Sequence, residues 1–213
     1  MNLNTYIDQT LLKPDAHADA IKLMIEEALH FKFKAVCLPP YYVSFAKEAA
    51  KGKTLICSVA GFPLGYQTLE SKLFEIQNII QDGADEVDVV INISQLKSGQ
   101  WNYVEEEIKE VGDLISTMQK TSKLIVETTY LDDSEVLRLA DLCIKHKIDF
   151  IKTSTGFAPK GAEVETVAMI KKHVGDHLKI KASGGIKDKE SAIKFIEAGA
   201  DRIGTSSGVV IIG

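Results

Sequence analysis

Several signals that mark specialised classes of protein are missing from this chain of 213 residues. It has no basic block and no stripe of interleaved basic and aromatic residues. Its formal net charge is −5 and its pI about 5.6. That balance argues against a nucleic-acid binder, while a local positive pocket for a small anion stays compatible with it. No apolar run reaches the roughly 18 residues of a membrane span. Met1–Asp8 lacks the basic-then-apolar pattern of a signal peptide, so a cytoplasmic protein is expected. The three cysteines, Cys37, Cys57 and Cys143, are far apart and form no Cys-x-x-Cys pair, which predicts reduced core thiols and no disulfide framework. Of the five histidines, only His173 and His177 have ligand spacing, and no third ligand accompanies them, so no metal site is expected. No linker or low-complexity tract divides residues 1–213, and 45% hydrophobic content suits one domain with a substantial core.

What is present is an alternation of strand-like and helix-like segments. Strands are expected at 7–11, 35–38, 55–60, 86–92, 124–128, 150–153, 179–183 and 202–205, most of them apolar on both faces as in covered parallel sheets. Helical periodicity runs through 18–30, 69–82, 102–120, 134–146, 164–173 and 188–198. Asp133 or Ser134, and Asp188, are the expected N-caps. The run Glu105-Glu106-Glu107 reads as a solvated helix face. Asp82-Gly83-Ala84-Asp85 echoes Ala198-Gly199-Ala200-Asp201, which fits either a half-barrel repeat or ordinary helix-to-strand turn chemistry. The number of strands predicts a (β/α)8 barrel. A doubly wound sheet is the alternative, but no glycine-rich phosphate loop follows the first strand.

Two lysines stand out because they lie inside strands. Lys152 sits in Phe150-Ile151-Lys152-Thr153-Ser154 and Lys181 in Lys179-Ile180-Lys181-Ala182-Ser183. A buried amine is costly unless paired or neutralised. Alternation puts Phe150, Lys152 and Ser154 on one face. On neighbouring strands the two amines would meet in one pocket, each making the other easier to deprotonate, and a neutral lysine is a nucleophile toward carbonyls.

Other chemistry-bearing residues gather at strand ends, the active face of a barrel. Asp88, flanked by valines, requires a partner such as Lys152 or Lys181, as an acid/base group or as a buried ion pair. Asp8 and Thr10 lie near the end of the first strand, where capping or turn roles compete with pocket roles. Ser154-Thr155-Gly156, Gly184-Gly185 and Gly204-Thr205-Ser206-Ser207-Gly208 close three successive strands. Turns of this composition late in a barrel offer backbone N–H groups and hydroxyls to a phosphate.

The segments Ile7–Pro14, Cys57–Gly65, Glu86–Asn92, Phe150–Gly156, Ile180–Ile186 and Arg202–Gly208 together resemble, in order, the landmarks of deoxyribose-phosphate aldolase, a class I aldolase family on a (β/α)8 barrel. The resemblance implies reversible cleavage of 2-deoxy-D-ribose 5-phosphate to acetaldehyde and D-glyceraldehyde 3-phosphate, without metal or cofactor. It implies Lys152 as the Schiff-base lysine, Lys181 as the lysine that tunes it and joins proton transfer, and Asp88 as the acid/base group. Gly156, Gly184, Gly185, Gly204, Ser206 and Ser207 match phosphate contacts, and Asp8 and Thr10 match pocket residues. The partner implied is a small phosphorylated sugar, with no nucleic acid or membrane, in a homo-oligomer. Two departures stand out: Pro39 replaces a frequent asparagine, and no tyrosine-bearing C-terminal tail follows Ile212-Gly213. Another Schiff-base aldolase or transaldolase, and a noncatalytic phosphosugar-binding barrel, are the competing readings; the latter leaves Asp88 and two strand lysines unexplained.

Overall fold

Strand alternation divides the barrel into an oily shell and a charged interior. The computed structural model describes residues Met1–Gly213. Its strands are β1 (Ile7–Thr10), β2 (Ala35–Cys37), β3 (Leu55–Ala60), β4 (Glu86–Val90), β5 (Thr121–Ile125), β6 (Phe150–Lys152), β7 (Lys179–Ser183) and β8 (Arg202–Thr205). Each pairs in parallel with the next, and Ile7, Asp8 and Gln9 of β1 pair with Ile203, Gly204 and Thr205 to close the barrel. Ile7, Val36, Ile56, Val87, Leu124, Ile151, Ile180 and Ile203 face outward into one core of 47 buried residues shared with the helices. The alternate residues face inward. In β2 and β3 they are apolar as expected, Cys37, Cys57 and Val59 packing together, but in β1 and β4 to β8 the expectation of two apolar faces fails: Asp8, Glu86, Asp88, Lys123, Lys152, Lys181 and Arg202 point into the interior. No helix is long and apolar enough to cross a membrane.

The surrounding helices are α1 (Ala18–Phe31), α2 (Val43–Ala50), α3 (Leu69–Gln81), α4 (Ile93–Lys97), α5 (Trp101–Thr117), α6 (Asp133–Lys145), α7 (Val164–Val174), α8 (Lys189–Glu197) and α9 (Gly208–Ile212). The periodicity missed α2, whose buried stripe is Val43, Ala46 and Ala50, too small to stand out in sequence. It also missed α4 and α9, each of five residues. The N-cap of α6 is Asp132, one residue before those expected, because only there do its side chain and Glu135 form a reciprocal capping box. Asp188 caps α8 as expected, accepting from Ser191 N.

The repeated Gly-Ala-Asp turn has a concrete structural role. Gly83 and Gly199 both take φ +110° after their helices. Asp85 then accepts Ile56 N at 3.0 Å, and Asp201 accepts Ile180 N at 2.8 Å, each satisfying a backbone donor at the start of the preceding strand. Asp149 does the same for Ser122 N at 2.9 Å, without the Gly-Ala preface.

Two sequence expectations change physically. Glu107 is not solvated: it is fully buried on α5, 2.6 Å from Lys72 of α3, and it also accepts Asn92 N at 2.8 Å. Burial raises its carboxyl pKa and lowers that of Lys72, and the mutual attraction opposes both shifts. Strand β5 begins three residues before the expected position and stops at Ile125, because Glu127 turns into the left-handed region at φ 55°.

Candidate active site

The interior charges form one connected stack, built from strands β1, β4, β5, β6, β7 and β8. Asp88 is its centre. Its Oδ2 accepts Lys152 Nζ at 2.7 Å and Lys181 Nζ at 2.8 Å, and its Oδ1 accepts Lys123 Nζ at 2.9 Å. The register explains the convergence, since Lys152 and Lys181 are direct neighbours across β6 and β7, and Asp88 and Lys123 across β4 and β5. Below them, Lys181 pairs with Asp8 at 2.7 Å and Lys123 with Glu86 at 2.6 Å. Arg202 bridges Asp8 and Glu86, donating Nε to Asp8 at 2.6 Å and both terminal nitrogens to Glu86 at 3.1 and 3.2 Å.

The electrostatics differ from two lysines simply repelling each other's protons. Burial alone would raise the Asp88 pKa, but Lys123, Lys152 and Lys181 outweigh it and hold the carboxyl well below its usual range. Burial would lower the Lys181 pKa, but Asp8 and Asp88 outweigh it, so Lys181 is held protonated. Lys123 and Arg202 are shifted upward for the same reason, against their burial. The expected mutual loosening of the lysine protons is therefore corrected for Lys181: a carboxylate lies between the amines.

Above the stack opens a pocket of about 260 Å³ at the C-terminal ends of the strands. Lys152 lines it, with Thr10, Gly156, Gly184, Gly185, Gly204 and Ser206 among its walls. Asp8 lies beneath the pocket, where it pairs with Lys181 and Arg202. Ser207 stands outside these walls: it is the N-cap residue of α9, with its N–H on Thr205 Oγ1 at 2.9 Å. The turns are shaped by close backbone approach. A Cβ on Gly184, whose φ is +89°, would stand 2.9 Å from Gly161 Cα, and one on Gly161 would stand 2.1 Å from Gly184 O. Ala162 N also bonds Ser183 O at 3.0 Å, so the loop after β6 is seated against the end of β7.

Sequence reasoning missed Lys123, Glu86, Arg202 and Glu127. Glu127 Oε2 accepts both Thr155 N, at 3.0 Å, and the Thr155 hydroxyl, and Phe157 N in turn donates to Thr155 Oγ1 at 3.1 Å. It thereby holds the start of the same pocket loop from the neighbouring strand. Cys37 and Cys57 pack together inside the barrel with Val59. Their sulfurs and an Asp88 oxygen lie within 4.8 Å of one another, the one grouping with a metal-like donor set. It does not suit a cation, because Asp88 already faces three ammonium groups and Lys123 Nζ stands 3.4 Å from Cys57 Sγ. His173, expected to be solvated, pairs with Asp141 at 2.7 Å on the surface.

Residues 3–212 match the model of the DeoC/LacD family of aldolases. The chain is 47% identical over 213 residues to deoxyribose-phosphate aldolase of Finegoldia magna, covering all of this chain and 99% of the relative. It is 46% identical to the enzyme of the same name from Staphylococcus carnosus, covering all of this chain and 96% of that one. Among solved structures, an aldolase called QR15 superposes with a TM-score of 0.93 at 44% identity, over 98% of this chain and 93% of that one. A tetrameric deoxyribose phosphate aldolase from Aeropyrum pernix superposes with a TM-score of 0.92 at 34% identity, over 99% and 89% of the two chains. With the closed barrel and its stacked lysines and carboxylates, these matches place the chain in the DeoC/LacD aldolase family.

Proposed function

We propose that this aldolase reversibly cleaves 2-deoxy-D-ribose 5-phosphate to acetaldehyde and D-glyceraldehyde 3-phosphate through a Schiff base on Lys152. The observation that carries the assignment is the asymmetry of the two lysines. Lys152 lines the pocket and has one carboxylate partner, Asp88. Lys181 has two, Asp8 and Asp88, is fully buried, and is held protonated. The reachable and less committed amine is the nucleophile, and the committed one is a proton source.

The chemistry follows from those positions. Lys152 Nζ gives up its ammonium proton to solvent and adds to the substrate C1 carbonyl, and the carbinolamine hydroxyl, protonated in turn, leaves as water to give the iminium. The C3 hydroxyl gives up its proton as the C2–C3 bond breaks. The bonding pair flows into the iminium as an enamine, and C3 leaves as the aldehyde of glyceraldehyde phosphate. Protonation at C2 and hydrolysis by water then release acetaldehyde and restore the amine. Asp88 and Lys181, 2.8 Å apart, are placed to relay these protons. Conversion of Lys152 to the uncharged carbinolamine removes one of the three cations facing Asp88, which makes that carboxylate a better base at the moment a base is needed. Gly156, Gly184, Gly185, Gly204 and Ser206 would hold the phosphate, so that binding energy far from the reacting carbon positions it. Buried thiols and the tetrameric relative support a cytoplasmic homo-oligomer.

The test is reductive trapping. Protein incubated with deoxyribose 5-phosphate and borohydride should carry its adduct on Lys152 when mapped by mass spectrometry. An adduct on Lys181 reverses the roles, and full turnover with no reducible adduct rules out the Schiff base.

A further inference from the structure

The hydroxyl of Ser183 makes no hydrogen bond within the fold, although the residue is only 5% exposed. Buried hydroxyls are normally bonded, and leaving one unmade costs free energy. The backbone of the same residue is fully engaged. Its N–H donates to Thr153 Oγ1 at 3.1 Å, and its carbonyl accepts from Ala162 N at 3.0 Å and from Thr153 Oγ1 at 3.4 Å. These bonds fix the backbone from which the hydroxyl projects.

Its height in the pocket is informative. Ser183 lies two residues beyond Lys181 on the same face of β7, about 7 Å further along the strand at roughly 3.3 Å per residue. It stands immediately before Gly184 and lines the same pocket as Lys152 and the glycine turns. Its Oγ is turned toward β8, where a Cβ on Gly204 would lie 2.4 Å from it. An open-chain sugar with C1 on Lys152 and its phosphate at the Gly184-Gly185 turn must carry its middle carbons past this hydroxyl. Ser154 also has an unpartnered buried hydroxyl, but it does not line the pocket.

We infer that Ser183 is a specificity-determining residue whose hydroxyl bonds the C4 hydroxyl of the sugar phosphate, the group that enters in the synthetic direction as the 2-hydroxyl of the acceptor aldehyde. This rests on the aldolase reading above. It deepens that reading by giving the pocket a means of preferring a hydroxylated acceptor to one of the same length without the hydroxyl.

The experiment compares two acceptors for acetaldehyde, D-glyceraldehyde 3-phosphate and 3-oxopropyl phosphate, which lacks the 2-hydroxyl. Wild-type protein should favour the hydroxylated acceptor in kcat/KM, and Ser183→Ala should reduce that ratio by about 3- to 10-fold, the size of one neutral hydrogen bond. An unchanged ratio overturns the inference. So does an equal loss on both acceptors with a raised KM, which would make Ser183 a phosphate contact. If the variant does not fold, a wild type that fails to prefer the hydroxylated acceptor overturns it equally. Borohydride trapping of acetaldehyde on Lys152 runs in parallel. Its absence in the wild type defeats the aldolase mechanism, whereas its presence with an unchanged ratio defeats only the role of Ser183.

Discussion

Replacing Asp88 by asparagine removes the charge that three ammonium groups share at 2.7, 2.8 and 2.9 Å. Lys181 keeps Asp8 and Lys123 keeps Glu86, but Lys152 is left with no carboxylate. Removing one member of a buried ion pair costs about 3–5 kcal/mol, because the remaining charge is neither hydrated nor paired. The expected loss for Asp88→Asn at pH 7 is therefore about 3–5 kcal/mol, read as a lower denaturant midpoint at unchanged slope. The pH dependence makes the test sharper. Asp88 titrates in the folded protein below its ordinary value of 3.8. A depressed carboxyl contributes stability that is present above the unfolded pKa and lost as pH falls through the folded one. The gap between wild type and variant should hold steady from neutral pH down to about pH 4, then narrow on further acidification. A gap below about 1 kcal/mol at pH 7, or one that does not change into acid, would refute the placement of Asp88 as the charged hub of the interior.

Other perturbations probe the walls of the pocket. Gly204→Ala would place a methyl group 2.4 Å from Ser183 Oγ and 3.1 Å from Lys181 Cε. Overpacking of this kind costs about 1–3 kcal/mol, and a displaced Lys181 should lower turnover roughly 100-fold; turnover within a few-fold of wild type would show that the wall yields without moving the lysine. Glu127→Ala would leave two Thr155 donors unpaired, and should raise KM for the phosphorylated substrate about tenfold with a smaller change in kcat. Glu127→Gln, which keeps an acceptor oxygen, should recover most of that loss. A pure kcat defect, or no recovery by glutamine, would mean that Glu127 does not act by holding the loop.

How readily a residue could be found in the sequence depended on whether it broke a pattern. Lys152, Lys181 and Asp88 are charges set in apolar strands, and the cost of burying them unpaired pointed to a shared pocket without any coordinates. Lys123, Glu86 and Arg202 lie near the starts of their strands, beside Ser122, Asp85 and Asp201, so they read as solvated ends. Glu86 did leave a trace, since it is two residues from Asp88 and shares its face. Glu127 left none, because its role depends on a left-handed backbone just past β5 and on a loop contributed by the next strand. Glu107 was hidden in a run of three glutamates, although it lies three residues after Val104 and four before Val111, both on the buried stripe of α5.

The interior as a whole explains why the reactive amine and the phosphate turns belong together. Counted in their ordinary charge states, Lys123, Lys152, Lys181 and Arg202 supply four positive charges and Asp8, Glu86 and Asp88 three negative ones, a surplus of one. Buried charge is tolerated only where it is paired, and the lower part of the stack is well paired: Arg202 takes two carboxylates, Lys181 two and Lys123 two. Lys152 alone has a single carboxylate, and it is the one cation of the stack that lines the pocket. The surplus therefore lies where a substrate can relieve it. Lys13 and Lys187 also line the pocket, so a phosphate dianion at the glycine turns meets a surplus of three positive charges and reduces it to one, which carbinolamine formation at Lys152 then removes. Both steps move the site toward neutrality, so the charge imbalance of the interior favours binding and covalent capture of the same molecule.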